Sequence, residues 1–186
     1  MTYGIHASGE VAVTGTYTPG TRPLPMIPRM GTELVVSPGL EKMEWHGRGP
    51  GETYIDRQFQ PVGTYRSTVT DEFVDYSRPQ ENGNKTDVSW MTLTNADGYG
   101  VRFEQGDPDH RLSVGASHHT KADLEAADYS FQLPRRAETY VNIDLKQMGV
   151  GGVNSWSALA WPLEKYRIPA EQPYTVSYVI RPVGPR

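Results

Sequence analysis

The chain has 186 residues, enough for one domain with a real core. Charged residues make up 22 % with both signs mixed, and the net charge of −4 speaks against a nucleic-acid binder, which would carry a basic stripe. No cysteine is present, which excludes disulfides and thiolate metal sites, and no stretch approaches the ~18 apolar residues of a membrane span. Nineteen glycines and fifteen prolines, spread along the chain, read as turns between many short strands.

The start, MTYGIHASGEVAVTG, has no basic region followed by an apolar block, so no export signal is visible and the compartment, cytoplasmic or periplasmic, stays open. Glu10 to Thr18 alternates: Val11, Val13 and Tyr17 on one side, Ala12, Thr14 and Thr16 on the other, the pattern of a half-buried strand. Four prolines from Pro19 to Pro28 rule out a central strand there, since proline lacks the ladder donor, and predict a connection crossing the sheet edge. GTELVVS and LEKMEWHG are the next strands, on either side of a Pro38-Gly39 turn, and GRGPGETYIDRQ is a loop. TDVSWMTLTN is expected as one strand, in a hairpin with YGVRFEQ around Asp97-Gly98. RLSVGASH is a further strand, and TKADLEAADY is a helix with Thr120 as its N-cap. ETYVNIDLKQ and QPYTVSYVIRP close the chain as strands. One domain over residues 1–186 is expected, an all-β antiparallel sandwich with long loops and one short helix.

Four segments in order, WHGRGPGETYIDR (Trp45 to Arg57), RPQENGNKTDVSW (Arg78 to Trp90), TKADLEAADY and TYVNIDLKQMGVGGVNSW (Thr139 to Trp156), resemble the C-terminal β domain of large β-galactosidases of glycoside hydrolase family 2. The resemblance runs from about Glu10 to Pro182. It implies a twisted antiparallel supersandwich similar to galactose mutarotases, with further strands upstream of Met1. It also implies a catalytic (β/α)8 barrel elsewhere in the polypeptide that carries two glutamates and hydrolyses terminal β-D-galactose with retention. In this chain no catalytic residue is expected, and it is predicted inactive alone. No cofactor is expected in this chain; a magnesium or sodium requirement of the parent enzyme would belong to its barrel.

The resemblance further implies that a loop of this domain reaches the mouth of the active site and presents an aromatic platform to the sugar. Trp156 holds that place, with Asn154 and Ser155 beside it. An indole suits a pyranose because the apolar, slightly positive C–H face of the sugar meets the negative π face. Gly149, Gly151 and Gly152 would let the loop bend through positive φ. One departure stands out: the pattern has two acidic residues before Ser-Trp, where this chain has Val153 and Asn154, so that Asn154 retains a single acceptor.

Trp45, Trp90 and Trp161 have no such context and are expected in the core. Glu52 and Asp56 stand four residues apart, a spacing open to the carboxylate pair of a glycosidase. Arg57 beside them favours a local ion pair, and Glu52, Tyr54, Asp56 and Arg57 are expected to fix a loop at the domain interface. Gln80 to Asn84 reads as a polar turn, and Asp107 and Asp109 around Pro108 as another, too few oxygens for calcium. His118 and His119 are neighbours that would point to opposite sides, so no metal site is expected. The expected partners are the barrel and a galactoside, with no nucleic acid or membrane; an unpaired sheet edge is expected either to be buried by self-association of the chain or to be kept soluble by the proline-rich segment Pro19 to Pro28. Two other classes fit the same fold: a free-standing epimerase of the mutarotase type, drawing on His6, His46, His110, His118 or His119 with a carboxylate, and a lectin-like binding module.

Overall fold

A computed structural model describes residues 1–154 and 156–185. Among these residues eleven strands form two antiparallel sheets. The larger contains β1 (Thr2–Ile5), β2 (Val11–Tyr17), β4 (Lys42–Arg48), β5 (Val62–Thr68), β7 (Trp90–Thr94), β8 (Gly100–Gln105) and β11 (Tyr174–Val183), in the order β1-β2-β11-β8-β7-β4-β5. The smaller contains β3 (Arg29–Val36), β6 (Lys85–Val88), β9 (Leu112–Ser117) and β10 (Thr139–Gln147), in the order β3-β10-β9-β6. The sandwich expected from the sequence is therefore present.

Alternation decides which side chains fill the space between the sheets. Val13, Met43, Trp45, Met91, Leu93, Phe103, Val176 and Tyr178 of the large sheet meet Val88, Leu112, Val114, Val141 and Ile143 of the small one. A second, smaller cluster of Ile27, Ile168, Ala170 and Tyr174 holds the end of the proline-rich connection, where the Ile27 amide donates to the Ile168 carbonyl over 2.9 Å. That connection leads from β2 in one sheet to β3 in the other.

The segment expected as a single strand from Thr86 to Asn95 is two strands in different sheets. Asp87 adopts φ 56°, a left-handed conformation costly for a residue with a Cβ, and its carboxylate pairs with Arg48. The chain turns there, so that β6 joins the small sheet and β7 the large one. The hairpin of β7 and β8 closes through Asn95, whose side chain accepts from the Asp97 and Tyr99 amides, with Gly98 at φ 86°. α1 (Lys121–Ala126) begins at a complete capping box: the Asp123 amide donates to the Thr120 hydroxyl, and the Thr120 amide to the Asp123 carboxylate.

Of the tryptophans expected in the core, only Trp45 is there, fully buried with Nε1 donating to the Arg48 carbonyl over 3.0 Å. Trp90 is half-buried, on the same face as its partner His46, with the Arg102 guanidinium 4.2 Å from its ring centroid. Trp161 is 45 % exposed. The parity of β4 explains the first difference: Trp45 faces inward, so His46 and its partner Trp90 face outward.

Candidate functional site

The loop that follows β10 leaves the small sheet at Gln147 and carries Trp156, a residue 85 % exposed. Val150, Val153, Leu159, Trp161 and Leu163 of the same loop are exposed too. Exposed apolar side chains stand elsewhere as well, at Phe59, Tyr129 and Phe131 among others, but this loop gathers six of them within fourteen positions of the chain.

The backbone below the ring is closely built. The Asn154 side-chain oxygen accepts from the Trp156 amide, the Ser157 amide and the Ser157 hydroxyl, each over 3.1 Å. This single acceptor sits where the resemblance had led to an acidic residue, and it ties three donors around the tip. Ser155, also expected at the sugar, lies outside the described residues. The Val153 amide donates to the Leu159 carbonyl over 2.7 Å, and the Gly149 amide to the Tyr166 carbonyl over 2.9 Å.

The three glycines do not serve the purpose expected of them. None has a positive φ; the left-handed glycines are Gly9, Gly39, Gly83 and Gly98. Crowding is the reason for glycine here. A Cβ on Gly149 would lie 2.6 Å from the Asp56 carboxylate, and one on Gly152 would collide with the Ala160 carbonyl. Asp56 belongs to the GRGPGETYIDR loop, and its Oδ2 accepts from the Gly151 amide over 2.7 Å.

The other residues of that loop point inward. Glu52 receives the Arg57 guanidinium, the Tyr76 hydroxyl and, over 2.8 Å, the Gly83 amide. Tyr54 is buried, with Arg57 stacked 5.1 Å from its ring centroid and its hydroxyl 3.5 Å from Glu81. Burial, together with nearby Glu81 and Glu52, pushes the Tyr54 phenol well above its ordinary value. Glu52 and Asp56 are thus bound into two separate networks and do not converge on one point as a glycosidase pair must.

The polar turn from Gln80 to Asn84 holds structure as well. Asn82 accepts from the Val74 amide, and the buried Asn84 donates to the Thr53 carbonyl. Asp107 accepts from the Asp109 amide and from His110 within its own turn. Among the described residues no three His, Asp or Glu side chains gather as a metal site would require.

The pair that superficially offers acid/base chemistry is His118 with Glu41. Nε2 lies 2.7 Å from the Glu41 carboxylate and Nδ1 3.0 Å from the Glu138 carbonyl. Both ring nitrogens are thus engaged by oxygens of this chain. Burial pushes the Glu41 carboxyl up, but hydrogen bonds from Thr70 and His118 outweigh it and leave it below its ordinary value. His118 is buried with both nitrogens occupied, which leaves no lone pair or proton for a sugar. His119 turns to the Pro134 carbonyl and His46 to the Thr64 hydroxyl.

Comparison with known proteins puts this arrangement in context. The sequence model of the family described as "Beta galactosidase small chain" matches residues 1–180. A β-galactosidase of Priestia megaterium is 34 % identical over 184 residues, covering 98 % of this chain and 17 % of the relative. β-Galactosidase BgaC of Bifidobacterium adolescentis is 32 % identical over 181 residues, 96 % of this chain and 17 % of its own length. A third, from Lactobacillus delbrueckii subsp. bulgaricus, is 33 % identical over 98 % of this chain and 18 % of the relative. The chain therefore spans 17–18 % of the length of these relatives.

Proposed function

The chain belongs to the β-galactosidase small-chain family, and from that premise we propose that it is an accessory domain that completes the sugar site of a catalytic barrel in the same enzyme. The parent would hydrolyse terminal β-D-galactose with retention, through two glutamates ~5 Å apart in the barrel. This domain would contribute Trp156 as a platform for the pyranose, with Asn154 and Ser155 shaping the tip beneath it. The observation that carries the reading is Trp156 itself, a residue 85 % exposed on a backbone held by close hydrogen bonds. Leaving an indole in water forgoes the ~2–3 kcal/mol that burying a large apolar side chain yields, and a built loop that holds it there fits a ligand or a neighbour.

The apolar residues that flank the ring, Val150, Leu159, Trp161 and Leu163, would pack against the barrel, with the GRGPGETYIDR loop behind them. Glu52 and Asp56 are engaged within the domain, which supports the expectation that bond cleavage takes place elsewhere.

The test uses a chromogenic β-galactoside. The chain alone, free of host enzyme, is expected to turn over no substrate, the parent polypeptide lacking this segment to be strongly impaired, and the two together to recover activity. Hydrolysis by the purified chain alone, or full activity of the parent without it, contradicts the proposal.

A further inference from the structure

The geometry points to Asp56 as a positioning residue for Trp156, acting through the glycine stem of the loop across 95 residues of sequence. Its carboxylate is inserted into the stem. Oδ2 accepts the Gly151 amide over 2.7 Å, and the same oxygen occupies the space that a side chain on either neighbouring glycine would take, 2.6 Å from a Cβ on Gly149 and 3.2 Å from one on Gly151. On the other side, a Cβ on Gly149 would lie 3.0 Å from Tyr166 Cβ, and the Gly149 amide is held by the Tyr166 carbonyl. The stem thus passes between the Asp56 carboxylate and Tyr166, so closely that a side chain on Gly149 would displace the carboxylate.

Asp56 is well placed to anchor because it cannot easily move. It sits at the tip of a tight turn closed by the Arg57 amide to the Tyr54 carbonyl over 2.8 Å and the Tyr54 amide to the Arg57 carbonyl over 3.3 Å. One end of that turn is the buried Tyr54, and the other is Arg57 paired with Glu52. Rigidity passes from the core to Tyr54, through the turn to Asp56, and from its carboxylate to Gly151. Asn154 then fixes the Trp156 amide at the tip. An aromatic platform binds only as well as it is held, because a ring that must be ordered on binding loses affinity to the entropy of ordering it.

This inference rests on the sugar-platform reading only in its kinetic arm. Two readouts separate the two ideas: the order of residues 149–154 by backbone NMR in this chain, and the KM and kcat of the parent enzyme. Asp56→Ala is expected to remove the downfield hydrogen-bonded shift of the Gly151 amide and loosen residues 149–154. In the parent it should raise KM roughly tenfold, with kcat changed less than twofold, as loss of one aromatic contact does. Asp56→Asn keeps an acceptor oxygen and a similar shape, and is expected to rescue most of both effects. Trp156→Ala should raise KM alike without disturbing the stem. Unchanged loop order in Asp56→Ala, or no rescue by Asp56→Asn when both variants fold, overturns the inference. A loosened loop with KM unchanged in both Asp56→Ala and Trp156→Ala leaves the anchoring in place and defeats the platform reading instead.

Discussion

Asp144 on β10 is fully enclosed, with neither carboxylate oxygen in a well-formed hydrogen bond, although Arg29 Nε lies 2.8 Å from Oδ2. Arg29 is shared, since its guanidinium also reaches Glu81 and Gln147. Burial outweighs the Arg29 attraction, and the Asp144 carboxyl is pushed up to about 7. An aspartate in the unfolded chain titrates near 3.9, so the folded state binds the proton more tightly. Its contribution to stability is therefore fully present below about pH 4 and is lost as pH rises through 7, a loss of a few kcal/mol at most at ~1.4 kcal/mol per unit. Thermal unfolding of wild type and Asp144→Asn from pH 5 to 8 should show the difference between them changing in favour of the variant as pH rises. A constant difference would mean that Asp144 does not titrate in this range. None of this was visible in the sequence, where Asp144 reads as one polar residue in an alternating strand; Arg29 and Gly31, more than 110 residues earlier in the chain, are what lie against it.

At the scale of elements, strands with clean alternation were legible: β2, β3, β4, β9, β10 and β11 stand where the pattern put them, as do the β7–β8 hairpin and the capped helix. β1 and β5 lay outside that pattern for a physical reason. All four residues of β1 are exposed, so no inward face marks it, and β5 is an edge strand with Gly63 among mostly polar residues. The split at Asp87 left a trace that is clear only in retrospect: buried positions fall on Thr86 and Val88, then shift parity to Met91 and Leu93. Because Asp87 is left-handed, Asp87→Gly should lie within about 1 kcal/mol of wild type in urea unfolding, whereas Asp87→Val should cost roughly 1–3 kcal/mol. Equal midpoints for the two variants would contradict a strained backbone at the crossing. Thr120→Ala, which removes one half of the capping box, is expected to cost about 1 kcal/mol, read in the same way.

The whole molecule is a sandwich whose loop after β10 is crowded and well tied, with its apolar side chains exposed. That Trp156 stands on a loop was legible in the sequence, but the support of that loop was not. The contact of Asp56 with Gly151 joins segments 95 residues apart, and the glycines that looked like hinges turn out to be clearances for other atoms. The proposed sugar platform would account for an indole held in the open, and the hydrogen bonds of Asn154 and Asp56 show how the loop beneath it is tied. In the parent enzyme labelled with 5-fluorotryptophan and assigned by Trp156→Phe, a saturating non-hydrolysable galactoside should shift the Trp156 fluorine resonance and leave that of the buried Trp45 in place. A Trp156 resonance that does not move while the sugar site is full would contradict the account at its centre.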